Sequence, residues 1–387
     1  MNPCRTTIII PNYNGLRFLP DCMTALEQQT ASDFQILVVD NGSSDGSVEW
    51  LKDWAAGGSP EAVGTQPTEN SKGAEVQSME ISEAAEVPLL ESSLGATPAD
   101  LRRHNLFLPE NTGFSGAVNA GIRWAEAQQQ DYVILLNNDT KAAPGFVGAL
   151  VREMDQDRRG RLFAVSSRMV KMHDPSIIDD AGDQLTVLGW QFQRGLDEPA
   201  DGPCGRTPAE VFSACAGAAI YRMSALSRTG LFDEHHFAYL EDIDISFRAR
   251  LYGYRVRYCP DAVCLHVGSG TSGCKYNSFK VRLSARNSIY LLYKNLPSFL
   301  LLLNAGQLLL GFLVKQLFFL RKGFGRDYCA GLLEVLRTCR TLTRARFEEV
   351  PPLRFAAIEL RLLAATFKYV SQRFRRQKNN RRSASIF

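Results

Sequence analysis

YVILLNNDT, residues 132–140, sets an apolar run against two amides and a carboxylate. So short and continuous a run fits a strand buried on both faces, as parallel strands beneath helices are. Asn137, Asn138 and Asp139 arrive where such a strand leaves its sheet. Two earlier runs share the form. Residues 6–10 lead into Pro11-Asn12-Tyr13-Asn14-Gly15, and residues 34–39 lead into Asp40-Asn41-Gly42-Ser43-Ser44-Asp45. Between them Leu16, Leu19, Met23 and Leu26 fall at helical spacing, and residues 47–54 begin another helix. Alternating strands and helices, with strands apolar throughout, predict an α/β fold on a parallel sheet covered on both faces.

The alternation breaks at 57–102. Eight acidic residues and one lysine lie among Gly, Pro, Ser and Thr between 57 and 100, without a period of 2 or 3.6, which predicts a disordered acidic insertion. The sheet pattern resumes at 103–108. NTGFSG, residues 111–116, then opens a helix running through Trp124.

At 387 residues with 45% hydrophobic content, the chain has room for one large domain and an appendage. Its net charge of +3 hides a split. From residue 321 onward 16 Lys and Arg face 5 Asp and Glu, against 28 and 36 upstream. A basic end on an acidic body points to an anionic surface. Nucleic acid is set aside, because no binding motif or aromatic interleaving accompanies the arginines. The nine cysteines include no CxxC pair and their number is odd, which argues for reduced thiols rather than a zinc ribbon or disulfide framework. MNPCRTTIII has no signal-peptide layout.

Ligands of open parallel sheets bind beyond the carboxyl ends of the strands. Any one of the clusters at 12–14, 40–45 and 137–139 is explained by turn chemistry. Three on one edge make a site the better reading. GFSGAVNAG, residues 113–121, is not GxGxxG, and the chain has no GxxxxGK[ST], so dinucleotide and P-loop readings fall away.

LFDEHHFAYLEDIDISFRARLYGYRV, residues 231–256, gathers Asp233, Glu234, Glu241, Asp242 and Asp244. Ile243, Phe247 and Leu251 form the buried face of a helix, so Asp242 sits in its first turn, off that face. Two readings stay open there: a carboxylate favoured by the helix dipole, or one aimed into a cleft. Asp244 lies four residues before Arg248 and fits an intrahelical ion pair. His266 ends an apolar strand and leads into a Gly/Ser loop. A lone histidine is more often a core residue, but an Asp with a His suits a divalent cation.

In their order and spacing, IIIPNYNG, ILVVDNGSSDGS, NTGFSGAVNAG, YVILLNNDT, the 231–256 segment and His266 resemble the inverting family-2 glycosyltransferases, in particular their rhamnosyltransferase-like subgroup. The resemblance implies a GT-A fold (Rossmann-like mixed sheet) over residues 1–278, followed by a helical region at 279–387. It implies a nucleotide-diphospho-sugar donor, possibly dTDP-rhamnose, and a glycan or lipid-linked acceptor. It also implies Mg²⁺ or Mn²⁺ at the diphosphate, and a place in bacterial surface polysaccharide assembly at the cytoplasmic face of the cell membrane. Pro11, Tyr13, Asn14, Asp40 and Asn41 fall at nucleotide-recognising positions. Gly113, Asn119, Asn138 and Gly217 border the donor. Asp139 and His266 fall at the metal, and Asp242, with Glu241 beside it, at the general base. Asn137 and Asn138 replace acidic residues of the family, and a basic residue common before Asn119 is missing.

LPSFLLLLNAGQLLLGFLVKQLFFL, residues 296–320, is the most apolar stretch. As one helix it would span roughly 37 Å. Pro297, Asn304, Gln307, Lys315 and Gln316 argue against a span. A helix lying in the interface, with Leu300, Leu303, Leu310 and Leu317 toward lipid and arginines toward headgroups, fits better. The competing readings are a nucleotidyltransferase, whose basic Gly-rich motif is missing near the N-terminus, and an inactive scaffold, against which Asp139, Asp242 and His266 stand together.

Overall fold

The computed structural model describes residues 4–58, 102–268 and 276–384. The 57–102 insertion and the Gly/Ser loop after His266 lie almost wholly outside the described residues. The first part runs β1 (Thr6–Asn12), α1 (Leu19–Glu27), β2 (Gln35–Asn41), α2 (Ser47–Ala55), β3 (Arg103–Leu108), α3 (Gly113–Ala127) and β4 (Tyr132–Leu136). β4, β1, β2 and β3 lie side by side and all pair in parallel, so their carboxyl ends share one edge.

The apolar runs face both ways, as their composition predicts. Ile8, Ile10, Val38, Ile134 and Leu136 pack with the residues of α1 and α2. Their neighbours Ile9, Leu37, Val39, Val133 and Leu135 pack with α3. Alternate residues of a strand point to opposite faces, so a strand between two helical layers must be apolar at every position.

Beyond β4 the sheet becomes mixed. The chain continues through β5 (Thr140–Ala142), α4 (Phe146–Gln156), β6 (Leu162–Lys171), β7 (Asp174–Asp180), β8 (Asp183–Leu185), β9 (Gln191–Gln193), α5 (Pro203–Arg206), β10 (Ala209–Val211), β11 (Ala218–Arg222), α6 (Met223–Thr229), α7 (Glu241–Leu251) and β12 (Arg255–His266). β11 enters antiparallel to both β4 and β6. β12 lies parallel to β6, with a register shift around Pro260. Proline has no N–H to give a ladder, so it falls where pairing is interrupted.

The remainder is helical: α8 (Ser278–Asn295), α9 (Ser298–Leu303), α10 (Ala305–Arg321), α11 (Gly325–Thr338) and α12 (Pro352–Ala384). The helix expected over 296–320 is two helices, parted at buried Asn304, whose side-chain amide donates to Glu359 Oε2 over 2.9 Å. Leu300 does not face outward. It is buried with Ile243, Phe247, Leu251, Leu291 and Ile358, while Leu303, Leu310 and Leu317 are exposed. Among the described residues no helix is long and apolar enough to cross a membrane.

Candidate active site

Strand register assembles the first edge of the site. Asn12 lies opposite Asp40, and Ile9 opposite Leu135. Three residues past the latter pair, Asn138 Nδ2 donates to Asn12 Oδ1 over 2.7 Å, and Asn12 Nδ2 donates to Asp40 Oδ2 over 2.8 Å. The N–H of Ser43 donates to Asp40 Oδ1 at 2.9 Å. Asn12, Asp40 and Asn138 are buried. A satisfied buried network of this kind fixes the three strand ends relative to one another. Above it Tyr13 and Asn14 are exposed and Pro11 is half-buried.

Asn41, Gly113 and Asn119 have other work. Asn41 donates to Asn111 Oδ1 and to the Gly113 carbonyl, and accepts from Thr112, which ties β2 to the start of α3. Gly113 holds φ +78, and a Cβ there would sit 2.5 Å from the Phe237 carbonyl oxygen. Asn119 clips the 232–234 segment. Its Nδ2 donates to the Phe232 carbonyl and Glu234 Oε1, both at 2.8 Å, and its Oδ1 accepts from Phe232 N. These three position the segment before α7 and have no free donor aimed at a ligand.

The second edge comes from a short antiparallel bridge. Thr140 pairs with His266, which brings the end of β12 beside Asp139. His266 Nε2 lies 3.4 Å from Asp139 Oδ1, and its Nδ1 lies 2.7 Å from Asp179 Oδ2. Burial opposes a charged ring, but the hydrogen bonds to Asp139 and Asp179 outweigh it and push His266 up to about 10. One carboxylate orienting a histidine toward a second donor is the arrangement that presents imidazole to a metal. Asp139 could supply an oxygen and His266 Nε2 a nitrogen once a cation displaces its proton, and the cation's other positions would fall to the ligand or water. Gly217 borders this edge. Its carbonyl accepts from Asn137 N, and a Cβ on it would lie 3.0 Å from Asn137 Nδ2.

The third edge holds residues that sequence reasoning passed over. Successive residues of β7 point to opposite faces, so Asp179 reaches His266 while its buried neighbour Asp180 faces elsewhere. Asp180, Asp183 and Cys215 have ligand atoms within 4.8 Å of one another. Asp242 feels no large cation here; its burial is relieved only by hydrogen bonds, including one of 2.7 Å from Ile243 N. The signal was DDAGD, residues 179–183, three carboxylates in an otherwise apolar segment.

Asp180, Asp183 and Glu241 are buried, and half-buried Asp242 joins them in one acidic group. Burial is the leading cause for each, and mutual repulsion adds to it for Asp180, Asp183 and Glu241. It raises Asp183 well above the usual carboxylate range, Glu241 to about 8, Asp180 to about 7 and Asp242 to about 6. Asp242 is the most acidic of the four and the first to lose its proton as pH rises. Environments that push neighbouring acids apart in this way assign the base and the neutral donors. Asp180 Oδ2 and Glu241 Oε2 are buried without a protein hydrogen-bond partner.

α7 is mounted on α8. Three non-glycine residues just before α7 hold positive φ: Phe237 (+60), Tyr239 (+73) and Leu240 (+68). Such a run is costly unless the surroundings impose it. Asn287 Nδ2 donates to the carbonyls of His236, Ala238 and Tyr239, and Arg286 donates to those of His235 and His236. Two turns on, the Lys294 ammonium sits between Asp233 and Asp244, 2.9 Å from the latter. Asp244 also pairs with Arg248 at 3.2 Å, as its spacing predicts. Asp233, His236 and Asp244 have metal-like spacing, but the lysine is already the cation among them. The boundary expected at 278/279 falls at the start of α8, whose side chains hold the segment from 233 to 244.

The model of Glycosyl transferase family 2 matches residues 7–77 and 93–184. The match lies in the first half of the chain and is a likeness to this family over those residues. The matched family 2 segment contains β1 through β7, with the Asn12, Asp40, Asn138 and Asp139 edge. Over 192 residues, 42% of this chain and 58% of the relative, it is 27% identical to an N-acetylglucosaminyl-diphospho-decaprenol L-rhamnosyltransferase of Mycobacterium tuberculosis. Over 209 residues, 46% of this chain and 47% of the relative, it is 27% identical to a galactofuranosyl glycosyltransferase of Leishmania donovani. The chain thus spans about half the length of the curated relatives it matches. Among solved structures, GalNAc-T7 with UDP, GalNAc and Mn²⁺ superposes with a TM-score of 0.53 at 12% identity, covering 76% of this chain and 48% of that one. That likeness establishes the fold: the chain has the GT-A arrangement.

Proposed function

We propose that this protein transfers a glycosyl unit, with inversion, from a nucleoside-diphospho-sugar to an acceptor hydroxyl. The observation that carries the reading is Asp242, the most acidic member of a group with the buried acids Asp180, Asp183 and Glu241, on a site that also holds the Asp139–His266 pair. Tyr13, Asn14 and Pro11 take the nucleoside at the β1 end. Asp139 and His266 would hold the divalent cation, and the nitrogen donor favours Mn²⁺ over Mg²⁺. When bound, the cation offsets the charge that grows on the departing diphosphate. Asp242 takes the proton of the acceptor hydroxyl. The freed oxygen attacks the anomeric carbon from the face opposite the diphosphate, whose bond to that carbon breaks as the new one forms. Asp180 and Glu241 have spare oxygens for sugar hydroxyls, which are both donors and acceptors.

A rhamnose-type donor is the first choice, in line with the mycobacterial relative, and a lipid-linked glycan is the matching acceptor class. A thermal-shift panel of dTDP-rhamnose and UDP-, GDP- and dTDP-hexoses, each with and without Mn²⁺, tests this. We expect one donor family to raise the melting temperature by several degrees, and only with the metal. Folded protein that responds to no donor would move the chain to the inactive scaffold reading.

The nucleoside edge has its own test. A Cβ on Gly15 would lie 2.0 Å from Asn138 Nδ2 and 2.5 Å from Asn12 Oδ1. Gly15→Ala must therefore part these amides. With the strand ends displaced, we expect donor affinity to fall about tenfold by calorimetric titration. An unchanged affinity would detach this edge from donor binding.

A further inference from the structure

We propose that α9, α10 and α12 form a surface that docks on an anionic lipid bilayer, lying in its interface without crossing it. Two independent apolar faces carry the inference. On α12, Leu353, Leu360, Phe367 and Phe374 are 84%, 67%, 76% and 68% exposed. They recur every seven residues, so they line one side of the helix over about 30 Å. The helix has a separate stripe, Phe355, Ile358 and Leu362, which is buried against α7, α8 and α9. The outer stripe is therefore surplus to the fold.

The second face is on α9 and α10, where Leu302, Leu309, Leu313, Leu317 and Leu320 are all more than half exposed. Side chains tie α12 to the α9–α10 joint and to α10. Asn304 donates to Glu359, and Trp190 both donates to the Gly311 carbonyl and stacks edge-on against Tyr369. An exposed patch of large apolar residues on this scale marks a surface that something covers.

Charge selects the occupant. Residues 298–326 contain no Asp or Glu, and carry Lys315, Arg321, Lys322 and Arg326. Over residues 352–384 there are nine Lys and Arg and one acid, Glu359. A second copy of this chain would set the same cations against one another. An anionic headgroup layer neutralises them while its acyl boundary takes the leucines, as amphipathic interfacial helices require. The surface also stands next to the chemistry. The buried stripe of α12 and Leu300 of α9 share a cluster with Ile243, Phe247 and Leu251 of α7, the helix that carries Asp242.

The test is vesicle co-sedimentation of the full chain. Vesicles of phosphatidylcholine alone are compared with vesicles containing about one third phosphatidylglycerol. We expect partition into the anionic vesicles at least tenfold above the neutral ones, weakening as salt is raised. Leu360→Glu/Phe367→Glu and, separately, Leu313→Glu/Leu317→Glu should each lower it at least tenfold, with unchanged circular dichroism because all four side chains are exposed. Anionic binding that both pairs leave intact would overturn the proposal, as would folded protein that ignores both vesicle types. A dimer in sedimentation velocity that either pair dissolves, with no vesicle binding, would assign the surface to a second copy instead. Donor-induced melting shifts measured on the same variants, expected unchanged, separate this result from the glycosyl-transfer reading.

Discussion

Asp242→Asn lowers the turnover number by about 10²- to 10⁴-fold, the range for loss of a positioned general base, and leaves donor affinity near that of the native protein. Asparagine keeps the size of the side chain, and its Oδ1 still accepts from Ile243 N. What it loses is the ability to take a proton. The pH profile supplies a second readout. Burial raises the Asp242 carboxyl to about 6, so activity climbs as pH rises through that value and the carboxylate forms. Single-turnover rates with a saturating donor measure both effects. If Asp242→Asn keeps full turnover, the base lies elsewhere in the acidic group.

Lys294→Ala destabilises the fold by about 3 to 5 kcal/mol, the usual cost of leaving buried carboxylates without their cation. Asp244 is fully buried and Lys294 nearly so, and Asp233 is largely covered. Arg248 stays against Asp244 and holds the loss toward the lower end. The sign with pH follows from the depressed acids. Burial opposes their charge, yet the lysine and its neighbours hold Asp244 down to about 2 and Asp233 below the usual carboxylate range. A depressed carboxyl stabilises the fold above its unfolded value of about 4, and that contribution fades as pH falls through the folded value. The gap between Lys294→Ala and the native protein should therefore be full at neutral pH, shrink below about pH 4 and close only below about pH 2 in urea titrations. A variant within 1 kcal/mol of the native protein at pH 7 would mean that the two acids accommodate the loss without penalty. Because α8 also holds the 235–239 carbonyls, Lys294→Ala should lower turnover too, through the seating of Asp242.

The interface surface shows how sequence and structure divide. Composition made a basic end and an apolar 296–320 stretch visible. It did not show that the stretch breaks at Asn304, or that Leu300 turns inward while Leu303, Leu310 and Leu317 stay out. It also hid the stripe on α12. Two apolar faces on one helix read in one dimension as a diffusely apolar helix, and only packing reveals which face is used.

The sequence by itself determined the alternating α/β order, the doubly covered strands, and the polar residues at their ends. Those follow from local rules: the period of side-chain direction, the apolar demand of a two-faced strand, and the turn chemistry that closes it. It also placed Asp242 in a helix's first turn and His266 at a strand's end, because helix and strand periods are local too. Tertiary structure decided which distant residues meet. Asp139 reaches His266 through a short bridge between segments far apart in the chain, and Asp179 and Asp180 divide between two edges because β7 runs past both. Asn41 and Asn119 proved to be framework because their partners lie on segments far along the chain. The protonation of the acidic group was decided at the same level. Burial sets it, and burial belongs to the packed molecule, whereas residue identity belongs to the chain.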